Sequence, residues 1–213
     1  MSKELNIVVC GLTGQGLVML TGILSQALMQ GGREVLTTDI PPITHRYSSS
    51  ISHLRVGENI YSPTIPEGEA DLVIAFEPLE ALKAGLMFVS ENGMVIMNER
   101  AIAQTRVFSG SLTQPREFKY PTTEEILAYF KRAKIKNVIH FDASDVAVKE
   151  AGTLLSLNIV MLGAAIGTNM IPVNPETIED AIEANVPTGT AEANLKAFRA
   201  GMKAVEGFLV KKA

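Results

Sequence analysis

The sequence has no tryptophan, one cysteine and three histidines in 213 residues. Its lone thiol, Cys10, rules out an intrachain disulfide and any iron–sulfur cluster held wholly by this chain's own thiolates. Cys-x-x-Cys, His-Glu-x-x-His and acidic calcium-loop spacings are all missing, so no metal site is expected. Aromatic residues make up only 6% of a chain that is 46% hydrophobic, which points to a core of Val, Ile, Leu, Ala and Met of the α/β kind. Charge of neither sign dominates: the formal net charge is −4, and the dispersed Lys and Arg leave no basic field for nucleic acid. A long hydrophobic run is missing as well. The most apolar stretch, 158 to 173, is interrupted by Asn169 and Pro172, is too short to span a bilayer and reads as a buried helix. The opening Met-Ser-Lys-Glu-Leu-Asn lacks the pattern of a secretory leader, so a cytoplasmic protein with no membrane association is expected. A mean hydropathy of +0.19 leaves room for a buried subunit face. The length suits a single domain over residues 1–213.

What is present starts with Ile7-Val-Val-Cys-Gly-Leu-Thr-Gly-Gln-Gly-Leu-Val-Met-Leu20, a buried strand, a glycine turn and a helix start. Gly11, Gly14 and Gly16 permit backbone geometry that side-chained residues resist, and a helix N-terminus attracts anions. The helix continues to Met29 and stops at Gly31-Gly32, followed by a strand over 34–39 and a loop over 40–50. From Ser50 to Val56 a period of two places Ile51, His53 and Arg55 on one strand face and Ser52, Leu54 and Val56 on the other. Further buried strands are expected at 72–76 and 94–97, with a helix opened by Pro78 between them. Residues 99 to 121 carry one short strand near Val107 and no functional signal. Thr122 and Glu125 form a capping box, 137–141 reads as a strand, and Asn174-Pro175-Glu176 starts a helix ending near Ala184. The terminal helix sets Leu195, Phe198, Met202, Val205 and Leu209 against a charged face. The alternation predicts a Rossmann-like α/β fold, a mostly parallel sheet flanked by helices.

Several groups can carry chemistry. In a nicotinamide enzyme, Gly11, Gly14 and Gly16 would cradle pyrophosphate and Asp39 would contact a ribose hydroxyl, although Thr13 stands where that pattern has glycine. The cluster Thr44-His45-Arg46-Tyr47-Ser48-Ser49-Ser50, with His53 and Arg55, can clamp an anion, titrate near neutrality or contact another subunit. Neither histidine is paired with a carboxylate in the sequence, and no catalytic residue is assigned. Glu77 and Glu80 fall where a strand passes into a helix, and their ordinary role there is to stabilise the helix dipole by about 0.3–1 kcal/mol. His140 is expected to be a core or edge residue of its strand.

Gly11-Leu-Thr-Gly-Gln-Gly16, the segment from His45-Arg46 to Ser52-His53-Leu54-Arg55-Val56-Gly57, and Gly68-Glu-Ala-Asp-Leu-Val-Ile-Ala-Phe-Glu-Pro-Leu-Glu-Ala-Leu82 together resemble the gamma-type subunits of 2-oxoacid:ferredoxin oxidoreductases. Within that family the likeness is strongest to the small, beta subunits of the indolepyruvate branch. It continues through 158–163 and Asn194-Leu-Lys-Ala-Phe-Arg-Ala-Gly201, nearly the full length. The sequence departs from the family pattern at Thr13, a glycine there, and at His45-Arg46-Tyr47-Ser48, commonly Gln-Arg-Gly-Gly, of which only Arg46 carries over.

The resemblance implies a subunit of a complex that oxidatively decarboxylates a 2-oxoacid, indolepyruvate or another aryl pyruvate, to an acyl-coenzyme A and reduces ferredoxin. It also implies that thiamine diphosphate and iron–sulfur clusters sit on a larger partner subunit, in keeping with the single cysteine. Contact with coenzyme A or another anion is then expected at Gly11, Thr13, Gly14, Gln15 and Gly16. Contact with substrate or partner is expected at His45, Arg46, Ser48, His53 and Arg55, and the isolated chain is expected not to be catalytic. The alternative is a free-standing nucleotide-binding module, an NAD(P)-dependent dehydrogenase or a sensor.

Overall fold

The computed structural model describes residues 4–40, 48–102 and 120–209. A six-stranded sheet forms its centre, in the order β2-β3-β1-β4-β5-β6. The strands are β1 (Leu5–Leu12), β2 (Val35–Ile40), β3 (Ser49–Val56), β4 (Ala70–Ala75), β5 (Val89–Asn98) and β6 (Asn137–Phe141). β1, β4, β5 and β6 run parallel, whereas β3 pairs antiparallel with both β1 and β2. The single domain and mostly parallel sheet expected from the alternation are therefore present.

Every residue of β1 is buried, as befits a strand covered on both faces. On one face, α1 (Leu17–Gln30), α4 (Ala143–Ala151), α5 (Leu157–Gly167), α6 (Pro175–Asn185) and α7 (Ala191–Leu209) enclose a core that includes Ile7, Val9, Leu24, Leu54, Ile74 and Ile96. On the other, α2 (Pro78–Phe88) and α3 (Thr123–Arg132) cover Val8, Cys10, Val73, Val95 and Phe130. Cys10 is a buried core residue, and burial pushes its thiol well above the ordinary range, which leaves it an inert filler.

Several local expectations change in detail. Ser49 and Ser50 belong to β3, not to a loop, because they pair with Leu12 and Gly11. The buried helix within 158–173 ends at Gly167. Asn174 precedes α6 without a side-chain capping bond, so proline at the first position and Glu176 mark that start. Helix α4, capped by Asp142, was not foreseen: nine residues with four charges or hydroxyls carry a weak periodic signal. The Thr122–Glu125 capping box forms as read, with both reciprocal bonds present. The strand expected near Val107 lies outside the described residues.

Helix α5 is buried at every position except Gly167, so it runs through the core and not along its surface. Its contact with α7 depends on glycine: a Cβ on Gly163 would stand 2.0 Å from the Phe198 carbonyl oxygen, and one on Gly201 would stand 2.0 Å from that of Val160. Small residues at such a crossing let two backbones approach until main-chain atoms touch. Among the described residues, no helix is long and apolar enough to cross a membrane.

Candidate functional site

The carboxyl ends of β1, β4, β5 and β6 converge on one edge of the sheet, where open α/β folds place ligands. The glycine turn after β1 opens this edge. Gly14 (φ 93) and Gly16 (φ 85) hold left-handed backbone, and Gly16 is the N-cap of α1 with no side-chain capping bond. Among the described residues, no side chain caps the first-turn N–H groups of α1, the groups that attract anions at a helix start. A Cβ on Gly14 would meet nothing within 4 Å, so the outer side of the turn is open.

The inner side is tightly tied. Gln15 Oε1 accepts from the Leu12 N–H (2.6 Å), and Gln15 Nε2 donates to the Phe76 carbonyl (3.2 Å). Asn98 Nδ2 donates to the same Phe76 carbonyl (3.0 Å) and to Ser144 Oγ (3.0 Å), while Asn98 Oδ1 accepts from the Ser144 N–H. One chain of side-chain amides therefore links the turn, the ends of β4 and β5, and the start of α4. Thr13 fits this scheme: it is not a positive-φ residue, and its N–H and Oγ1 both donate to the Ser48 carbonyl (2.9 and 3.1 Å). A glycine is not required there.

Next to it, the buried Glu77 carboxylate caps α2 by accepting from the Leu79 and Glu80 N–H groups (2.9 and 3.0 Å), and the Tyr120 hydroxyl donates to it. Burial raises the Glu77 pKa against the opposing pull of these bonds, and burial beside Glu77 pushes the Tyr120 phenol upward. Glu80 accepts from Lys83 Nζ (2.6 Å) and Ser49 Oγ (3.0 Å). Glu77 thus caps the start of α2, while Glu80 ties its first turn to Ser49 of β3.

Of the second cluster, His45 and Arg46 lie outside the described residues. Ser48 is buried and joins the glycine turn through its carbonyl. Arg55 sits toward the opposite end of β3, where its guanidinium donates to Asn6 Oδ1 (2.9 Å), the Ser62 carbonyl (3.0 Å) and Glu4 Oε2 (3.0 Å). His53 is fully buried; Nδ1 accepts from the Ile65 N–H (3.0 Å), and the ring stands edge-on to Phe88. The structure therefore does not bring His53 and Arg55 to the glycine turn. His140 lies on the edge strand β6 and pairs with Glu99, as an edge residue would. Asp39 accepts from Ser52 Oγ, and β3 separates β2 from β1, so Asp39 is not beside the turn where a ribose contact would need it.

Burial lowers the pKa of His53, so the folded state holds it neutral while the unfolded chain protonates it near 6.5. Between the lowered folded pKa and that unfolded value, the unfolded state binds the extra proton, and stability falls as pH drops. Urea titrations at about pH 5 and about pH 8 should show this loss, and it should shrink in His53→Gln. An unchanged pH slope in the variant would rule out His53 as the group responsible.

The sequence profile of the pyruvate ferredoxin/flavodoxin oxidoreductase family matches residues 6–204. The chain belongs to this family. Its relatives there include the indolepyruvate oxidoreductase subunit IorB of Methanothermobacter thermautotrophicus, 38% identical over 93% of this chain and 96% of the relative. The IorB subunit of Thermococcus kodakarensis is 33% identical over 97% of this chain and 98% of the relative. Among solved structures, the 2-oxoglutarate:ferredoxin oxidoreductase of Magnetococcus marinus, determined with 2-oxoglutarate, coenzyme A and succinyl-CoA bound, shares the fold (TM-score 0.67, 18% identity, 97% of this chain and 32% of that one). This protein is thus a small subunit of the pyruvate ferredoxin/flavodoxin oxidoreductase family, related to the IorB type, and the gamma-type resemblance holds.

In this family member the motifs mark the turn but not the supports around it. Asn98, Ser144 and Tyr120 are far from Gln15 in sequence, and nothing in their local context marks them. Gln15 was singled out only as part of the turn, although its amide is what binds that turn to β4. Among the described residues, no group of three His, Cys, Asp or Glu side chains could hold a metal ion.

Proposed function

We propose that this chain is the small subunit of an oxidoreductase that decarboxylates indolepyruvate or another aryl pyruvate to an acyl-coenzyme A and passes the electrons to ferredoxin. The observation that carries this reading is end-to-end relatedness to IorB subunits, at 33% identity over 97% of this chain and 98% of the relative. In this reading thiamine diphosphate and the iron–sulfur clusters reside on a larger partner, since one buried cysteine cannot ligate a cluster, and the isolated chain is not catalytic. Gly14, Gly16 and the open first turn of α1 fit a phosphate group, so the turn is where coenzyme A would touch this subunit.

Co-expression with the larger subunit, followed by an indolepyruvate-dependent ferredoxin reduction assay, tests the assignment. Omitting this chain should abolish activity or assembly, and retention of both would sink the reading. Val18 offers a probe of the coenzyme A contact, because it lies in the first turn of α1 and is 61% exposed. Val18→Glu leaves the helix dipole favourably served and sets a negative charge beside the turn. The KM for coenzyme A should then rise by about tenfold in the complex, with the KM for the 2-oxoacid unchanged. Equal KM values for coenzyme A would place its phosphates elsewhere.

A further inference from the structure

A cleft of about 330 Å³ lies between α2 and the β2–β3 end of the sheet, on the face opposite α1. It adjoins the start of the glycine turn, since Ser49 and Ser50 of its lining pair with Leu12 and Gly11. Ile40, Ile51, Met87 and Phe88 supply apolar walls, and the alternation of β3 sets Ile51 and Ser49 on this side. Ile40 and Met87 are close to half exposed, an unusual amount of branched and sulfur-containing surface to leave beside a concavity.

The polar end of the cleft is an ion pair. Glu80 is nine-tenths buried or more, with 4% of its side chain exposed, whereas Lys83 is 49% exposed. Glu80 Oε1 takes both the Lys83 ammonium (2.6 Å) and the Ser49 hydroxyl (3.0 Å). Glu80 lines the cleft, and its Oε2 has no hydrogen-bond partner among the described residues. This end therefore offers an unused carboxylate oxygen next to a half-exposed ammonium, with no net charge.

A neutral pair of this kind selects against ligands with one charge. A lone carboxylate gains from Lys83 but is repelled by Glu80, and a lone amine meets the reverse balance. A ligand with an ammonium and a carboxylate one carbon apart satisfies both partners, the ammonium on Glu80 and the carboxylate on Lys83. The apolar walls then ask for a large hydrocarbon or aromatic side chain, and the volume lies at the small-ligand end of the range for binding pockets. We propose that this cleft binds a free α-amino acid with a large apolar side chain. Such an amino acid differs from a 2-oxoacid only at its α-carbon, so occupancy of the cleft would report the amino-acid counterpart of the complex's substrate class. The site itself stands whether or not the glycine turn holds coenzyme A.

Titration calorimetry on the full chain, alone and with its larger subunit, would use L-phenylalanine and L-tryptophan as probes. Phenylpyruvate, which lacks the ammonium, and phenethylamine, which lacks the carboxylate, are the comparators. Saturable binding of an amino acid at least about tenfold tighter than of either comparator supports the proposal. Glu80→Gln and Lys83→Met should each weaken it by about tenfold. Met87→Asp, at a half-exposed position, should do the same by placing a charge in the apolar wall. Thermal melts establish that each variant is folded, and methyl NMR of Ile40 and Met87 locates the ligand. Lack of saturable amino-acid binding, equal affinity for either comparator, or shifts confined to methyl groups outside the cleft would overturn the proposal.

Discussion

Gly201→Ala should destabilise the fold by about 3 kcal/mol or more, at or beyond the upper end of ordinary overpacking costs. The new methyl carbon would stand 2.0 Å from the Val160 carbonyl oxygen and 3.0 Å from the Ala164 nitrogen. Both are backbone atoms in a helix buried on all sides, so no rotamer change relieves the clash and the two helices must separate. Gly163→Ala should behave alike, because its Cβ would meet the Phe198 carbonyl oxygen at 2.0 Å from the other side of the same crossing. The double variant should cost less than the two single losses combined, since helices already forced apart accommodate the second methyl. Gly207→Ala is the control: it lies on the same α7 with nothing within 4 Å, and it should stabilise by up to about 1 kcal/mol through helix propensity. Urea denaturation of the wild type and the four variants decides the matter. Stability equal to or above that of the wild type in either crossing-glycine variant would show that the helices do not pack as described.

Asn98→Ala should cost about 2–4 kcal/mol, a large part of the stability of a domain of this size. The Asn98 side chain is 1% exposed and makes three hydrogen bonds, to the Phe76 carbonyl and to both the hydroxyl and the N–H of Ser144. Truncation leaves the Ser144 amide buried without its acceptor and the Phe76 carbonyl with one side-chain donor fewer. That remaining donor is Gln15, so the loss should also reach the glycine turn. Hydrogen exchange at Leu12 and Gln15 should therefore accelerate in Asn98→Ala by more than it does at β6, which the bond network does not include. Uniform acceleration would mean that the amide chain along the strand ends does not act as a unit. Asn98→Asp keeps an acceptor for the Ser144 amide but sets a buried carboxylate oxygen against the Phe76 carbonyl, so it should cost at least as much as alanine.

Legibility tracks how local the determining physics is. α3 and its capping box were readable because Thr122 and Glu125 satisfy each other's backbone groups within four residues. Strand β6 was readable from five residues of pattern, and the face assignment of β3 followed from its period of two, with His53 and Leu54 on opposite sides. The glycine turn was also visible, since left-handed backbone at Gly14 and Gly16 demands that residue type. The position of Glu77 between strand and helix marks it for the helix start, and its capping bonds agree, whereas the tie of Glu80 to Ser49 of β3 has no local signal. Arg55 shows the limit of such reading: an arginine beside a serine-rich cluster suggests an anion clamp, but antiparallel pairing carries it to Asn6 and Glu4 at the other end of β1.

By itself the sequence determined that a mostly parallel α/β sheet would form and that a glycine turn would open one strand end. Those outcomes depend on residue type and short-range periodicity, which fix backbone conformation and burial without reference to the rest of the chain. Only the tertiary structure decided that β3 would enter between β1 and β2, that Gln15 and Asn98 would meet at one carbonyl, and that an ion pair would close an apolar cleft over β3. Each of these brings together groups separated by tens of residues. Their proximity is set by strand order and helix docking, and no local propensity encodes either.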